Sequence, residues 1–165
     1  MNDKNYLLSL LDFSAWANEE FFKTIRKLQP EEINKNRESF MVSIRNSVNH
    51  LLVIDKIWMS QMKREKHKLK HLQTILYKNL DDIWAAKDKM NKEIRDYVSD
   101  LNDDELEETI DYELISGNKG NLPRYMIITH LAMHSAYHRG IIADMLGQIP
   151  IQPVGQDIPV WEQSI

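Results

Sequence analysis

Three of the six histidines lie in the segment THLAMHSAYHRG, residues 129–140, as His130, His134 and His138. In a helix, residues four apart lie one turn, or about 6 Å, from each other. Two such side chains can each give one ring nitrogen to the same metal ion. His130 and His138 would be about 12 Å apart along the axis, so all three cannot bind one ion together. The spacing therefore predicts one adjacent pair and a further ligand from another helix.

Two of the remaining histidines, His67 and His71, lie in the lysine-rich run KREKHKLKH, and we expect them to be solvated. The third, His50, lies in SVNHLLVID, beside the apolar stripe of a predicted helix. His50 with two histidines of the 129–140 segment would give three neutral nitrogen ligands.

The alternative for each histidine is a core residue that bonds to a backbone carbonyl or a water molecule. An HxxxH pair is short and arises by chance. Burying an unpartnered imidazole costs about 1–3 kcal/mol, however, and two of these rings lie on the predicted core seam. That seam comprises Ile127, Leu131, His134, His138, Ile141 and Met145.

Apolar periodicity predicts four long helices. The first runs from about Tyr6 to Leu28 and is ended by Pro30, and the second has Ser43 as its N-cap. The third runs from Leu80 to Leu101, and the fourth has Pro123 in its first turn and Gly147 at its C-terminal cap.

Shorter elements surround these helices. Residues 108–115, ETIDYELI, tend to alternate and precede the turn-forming SGNKGN, which predicts a small hairpin. We expect the proline-rich tail to wrap the helices as an extended segment with one helical turn near Val160. The segments KLQPEEINKN and DLNDDELEET, which follow the first and third helices, share a short pattern that hints at a repeated two-helix unit. The predicted fold class is all-α: an antiparallel four-helix bundle with a small β-hairpin before the last helix and an extended C-terminal tail, forming one domain over residues 1–165.

The composition argues against several classes of function. The 165-residue chain has a net charge of -4 and no basic block interleaved with aromatic residues, so we expect no nucleic-acid partner. The absence of cysteine excludes disulfides, thiolate ligands and a cysteine nucleophile. We recognise no signal peptide and no membrane-spanning run, and we expect a cytoplasmic protein without a membrane partner.

Three segments together resemble the DinB-like family, the damage-inducible and YfiT-like four-helix proteins. LLDFSAWANEEFF is similar to the family's first helix, and SFMVSIRNSVNHLLVIDKIWM is similar to its second. THLAMHSAYHRGIIADML resembles its strongest signature, HxxxHRG followed by an apolar helical run. The resemblance covers nearly the whole chain. It implies a divalent metal ion held by His50, His134 and His138, with His130 outside the ligand set.

The resemblance also implies a homodimer and, in related enzymes, transfer of low-molecular-weight thiols or isomerisation of small acids. We therefore expect metal-dependent thiol transfer or related small-molecule chemistry, with a low-molecular-weight thiol as a candidate substrate. A metal-dependent hydrolase and a non-enzymatic stress-response protein with a structural or sensing metal are the alternatives. Nickel or zinc is expected first, and iron or manganese would also suit nitrogen ligands. Asn18 is expected either near the metal or at a helix contact, and Arg139 either paired with an acid or on a substrate carboxylate.

Overall fold

The structure is a computed structural model that describes residues 4–151 and 155–165, and it is mostly helical. These residues form seven helices and one two-stranded antiparallel sheet. The elements, in chain order, are α1 (Lys4–Ile25), α2 (Pro30–Asn34), α3 (Ile44–Met62), α4 (Leu80–Asp100), α5 (Asp103–Glu107), β1 (Thr109–Glu113), β2 (Lys119–Pro123), α6 (Arg124–Gly147) and α7 (Ile158–Glu162).

Four long helices, α1, α3, α4 and α6, build the core. Helix α6 packs against α1 and α3, and α4 also packs against both of these helices. Their apolar side chains form one continuous cluster, with Leu52, Ile83, Ile127 and Met145 completely buried. None of the described helices is both long and apolar enough to cross a membrane.

The predicted starts of the second and third helices agree with the structure. The Ser43 side chain accepts a hydrogen bond of 3.2 Å from the backbone N–H of Asn46, which satisfies one free donor at the start of α3. Asn79 caps α4 in the same way by accepting from the N–H of Asp82. These caps fix where the two helices that flank the 63–79 segment begin.

Two short helices, α2 and α5, were not predicted. Helix α1 ends at Ile25 rather than near Leu28, and Pro30 does not end it but starts α2, where its missing N–H has no cost. The helices α2 and α5 occupy the two similar segments noted in the sequence, and each buries one aliphatic residue, Ile33 or Leu106. The short pattern therefore encodes the same local structure twice.

The hairpin lies before the last long helix, as expected, and pairs Thr109 with Pro123 through to Glu113 with Lys119. Pro123 is the N-cap of α6 rather than a residue of its first turn, and Gly147 is its last residue, with Gln148 as the cap. The helical turn expected near Val160 is α7. Part of the tail expected to be extended, residues 152–154, lies outside the described residues.

Candidate metal centre

The structure brings His50 of α3 together with His134 and His138 of α6. Each offers one ring nitrogen, and these three atoms all lie within 4.8 Å of one another. The ring centroids are 4.4 Å apart for His134 and His138, 4.5 Å for His50 and His138, and 5.3 Å for His50 and His134. Among the described residues this is the group of histidine and acidic side chains placed to hold a metal ion.

The rotation of α6 selects His134 and His138 from the two adjacent pairs that the spacing allows. His138 is buried against α3, whereas His134 is half-buried. His130 is also half-buried, but its ring lies 5.4 Å from that of His134 and packs edge-on against Trp58 at 5.3 Å. His130 therefore flanks the cluster and packs against an aromatic side chain.

The His50 ring is oriented by a backbone carbonyl. Its Nδ1 lies 3.2 Å from the carbonyl oxygen of Leu72, in the irregular segment between α3 and α4. A carbonyl oxygen only accepts hydrogen bonds, so Nδ1 carries the proton and donates it. The other nitrogen, Nε2, is then left with a free lone pair, which is the arrangement usual for a metal-ligating histidine.

Burial keeps the three rings neutral near pH 7. It lowers the pKa of His134 to about 3, with smaller contributions from neighbouring histidines and from Lys87. Burial also lowers the pKa of His138 to about 4, and His50 adds to that effect. The pKa of His50 is lowered by burial as well, against the opposing hydrogen bond to Leu72. Neutral imidazole is the form that binds a metal.

The donor set and its geometry fit a divalent metal ion. Tetrahedral zinc, with Zn–N bonds of about 2.0–2.1 Å, separates its nitrogen ligands by about 3.4 Å. Small side-chain rotations bring nitrogens that already lie within 4.8 Å to that separation. In addition, Nδ1 of His138 is fully buried and has no hydrogen-bond partner among the described residues. A buried nitrogen without a partner is costly unless a water molecule or an ion satisfies it.

The remaining two histidines lie away from the cluster. His71 is exposed, as expected for the lysine-rich run. His67 is half-buried rather than fully solvated, and its Nδ1 lies 3.1 Å from the carbonyl oxygen of Leu69. The cluster therefore takes its histidines from α3 and α6 alone.

A buried ion pair next to the cluster was missed from the sequence. Lys87 Nζ lies 2.8 Å from Asp55 Oδ2, and both side chains are almost completely buried. Asn91 accepts a further hydrogen bond from Lys87. Lys87 lies on the apolar stripe of α4, between Ile83 and Met90 in the sequence. A lysine on an apolar stripe was the sequence feature that could have indicated a buried ion pair. The pair borders a cavity of about 20 Å³, which is large enough for one water molecule.

Asn18 and Arg139 form a second polar cluster, which joins α1 to α6. Arg139 is buried, and its Nη1 donates to Asn18 Oδ1 at 3.1 Å and to Ser135 Oγ at 3.1 Å. Ser135 Oγ also donates to Asn18 Oδ1, at 2.9 Å, while Arg139 Nε donates to Gln156 Oε1 at 3.1 Å. In the described part of the chain, Arg139 forms no ion pair with an acid. The expectation that Arg139 pairs with an acid is therefore wrong for the described residues. Asn18 makes a contact between α1 and α6, as one of its two expected roles required.

The comparison with known families finds a match. The sequence model described as the DinB family matches residues 1–164, which is almost the whole chain. No curated protein matches the sequence.

Proposed function

We propose that this chain, which belongs to the DinB family, holds a divalent metal ion with His50, His134 and His138 and uses it in thiol transfer or related small-molecule chemistry. The observation that carries the proposal is the convergence of three neutral ring nitrogens from α3 and α6 within 4.8 Å. Nickel or zinc is our first proposal for that ion, because imidazole nitrogens suit both, and iron and manganese are the alternatives.

Three protein ligands leave a tetrahedral ion with one open position, which is the pattern of catalytic rather than structural zinc sites. His134 is only half-buried, which supports access from solvent to this side of the cluster. A bound divalent ion lowers the pKa of a coordinated thiol or water and so supplies a nucleophile near neutral pH. Because the chain has no cysteine, none of its own side chains can supply the thiol, and we propose that a small molecule does.

The protein's own residues set the conditions for that chemistry. The buried histidines stay unprotonated, so protons do not compete with the ion near pH 7. The Lys87–Asp55 pair adds no net charge next to them. The alternatives are hydrolysis by a bound hydroxide and a metal that is structural or sensing.

Cobalt-substituted protein tests the open position. Titration with a small thiol is expected to produce a thiolate-to-cobalt absorption band in the wild type, because the thiol coordinates directly. The His138→Ala protein serves as the control and is expected to show no such band. A wild-type spectrum that does not change when thiol is added would rule out the proposed thiol transfer and favour a structural or sensing metal.

We also propose that the four long helices form an antiparallel bundle and that two copies of the chain associate through α6. The contacts of α4 and of α6 with both α1 and α3 support the bundle. Met126, Met133 and Tyr137 support the association, because they are exposed and recur at helical spacing on one face of α6. Light scattering of wild type and of Met133→Lys should give a dimer and a monomer, respectively.

A further inference from the structure

The segment between α3 and α4, residues 63–79, has no regular secondary structure beyond isolated turns, yet side chains of α3 hold it in place. Arg45 donates from Nη2 to the carbonyl of Tyr77 at 3.1 Å. One turn further along α3, Asn49 contacts the segment with both ends of its amide. The next residue, His50, contacts the carbonyl of Leu72.

Asn49 makes the most complete of these attachments. Its Nδ2 donates to the carbonyl of Thr74 at 2.8 Å, and its Oδ1 accepts from the N–H of Leu76 at 3.0 Å. Asn49 is only 1% exposed, so water does not readily replace either bond. The side-chain amide donates from Nδ2 and accepts at Oδ1, so this one short side chain makes both bonds at once.

These bonds fix the position of the Leu72 carbonyl. That carbonyl can orient the His50 ring only if it stays in place. Thr74 is two residues from Leu72, so the chain has little freedom between the two contacts. The side chains of Leu72 and Leu76 pack against the core on either side of Thr74. The carbonyl is thereby held 3.2 Å from Nδ1 of His50, where it keeps the proton on Nδ1 and the lone pair on Nε2.

We propose that Asn49 is a positioning residue for the metal centre, which acts through the Leu72 carbonyl to select Nε2 of His50 as the ligand atom. This inference rests on the proposed function, because it requires His50 to bind the ion. It extends that function to a residue that touches neither the ion nor a substrate. Without the amide, the 63–79 segment moves away from α3 and the His50 ring loses its fixed tautomer and orientation.

The test is Asn49→Ala, compared with wild type and with Val98→Ala. Val98 is completely buried in α4, three turns beyond Lys87, so its truncation destabilises the core away from the site. We expect the zinc dissociation constant, measured by competition with a chromogenic chelator, to rise tenfold or more in Asn49→Ala. We expect it to stay within twofold of wild type in Val98→Ala.

Ring nitrogen NMR shifts of the metal-free proteins give the second measurement. The wild type is expected to show the Nδ1–H tautomer at His50, and Asn49→Ala a mixture of tautomers. An unchanged dissociation constant in Asn49→Ala, or an Nε2–H tautomer in the wild type, would overturn the inference. The wild-type tautomer can be read even if the variant does not fold. If wild type itself binds no metal, the proposed function fails first, and the two failures are thereby distinguished.

Discussion

Removal of the metal is expected to lower the melting temperature without unfolding the protein. The proposed ligands come only from α3 and α6, whereas the apolar core also includes residues of α1 and α4. The ion is therefore not needed to form the core. Binding to the native state alone contributes about 4 kcal/mol when free metal exceeds its dissociation constant a thousandfold. For a chain of this length each kcal/mol changes the melting temperature by about 2–4 °C, so stripping should lower it by about 8–16 °C.

Circular dichroism of protein dialysed with and without a chelator measures both quantities. The helical signal at room temperature should be nearly the same in the two samples. His138→Ala is the matched control, because its melting temperature should not respond to the chelator. Collapse of the helical signal on stripping would instead show that folding depends on the ion, as it does in zinc fingers.

Two further predictions concern buried charge. In the metal-free protein, the pKa values of His134 and His138 lie at about 3 and 4, below the value of about 6.5 in an unfolded chain. As the pH falls, the unfolded chain takes up protons that the native state excludes. The stability contributed by the two neutral histidines is therefore fully present above pH 6.5 and is lost as the pH falls towards 4. At pH 5 the loss in the free energy of unfolding should already be about 2 kcal/mol per histidine. Urea melts should show this loss both in wild type and in the control His71→Ala, which changes an exposed histidine. His138→Ala should show a smaller loss. Equal stability of the wild type at pH 7 and at pH 5 would contradict the prediction. Lys87→Met should lower the free energy of unfolding by about 3–5 kcal/mol in urea melts, because it leaves the Asp55 carboxylate buried without a cation. Adding Asp55→Leu should restore most of that stability. A decrease below about 1 kcal/mol for Lys87→Met would show that the pair is solvated.

The long helices could be predicted because apolar side chains recur along them, and because Ser43 is a good N-cap. The five-residue helices α2 and α5 could not, since one turn is too short to show a period. The hairpin was predicted from alternation and a glycine-containing turn, and the structure confirms it. Helix ends were less predictable: Pro30 is compatible both with ending one helix and with starting the next.

The candidate site could be predicted only in part. Spacing limits α6 to one adjacent pair of histidines, but the rotation of α6 against α3 decides which pair, and this depends on packing across the whole core. The contact of the Leu72 carbonyl with His50 has no sequence signature, because every residue has a carbonyl. The partners Asp55 and Lys87 are 32 positions apart, and neither spacing nor composition pairs them.

Metal content after single substitutions shows whether His50, His134 and His138 hold the ion. Wild type and four histidine-to-alanine variants, at positions 50, 130, 134 and 138, are purified with added zinc or nickel, dialysed, and measured by plasma mass spectrometry. We expect about one ion per chain in wild type and in His130→Ala. We expect a sharp loss in His50→Ala, His134→Ala and His138→Ala, because each removes one of three convergent nitrogens. A full equivalent of metal retained by folded His138→Ala would show that these three histidines are not the ligand set.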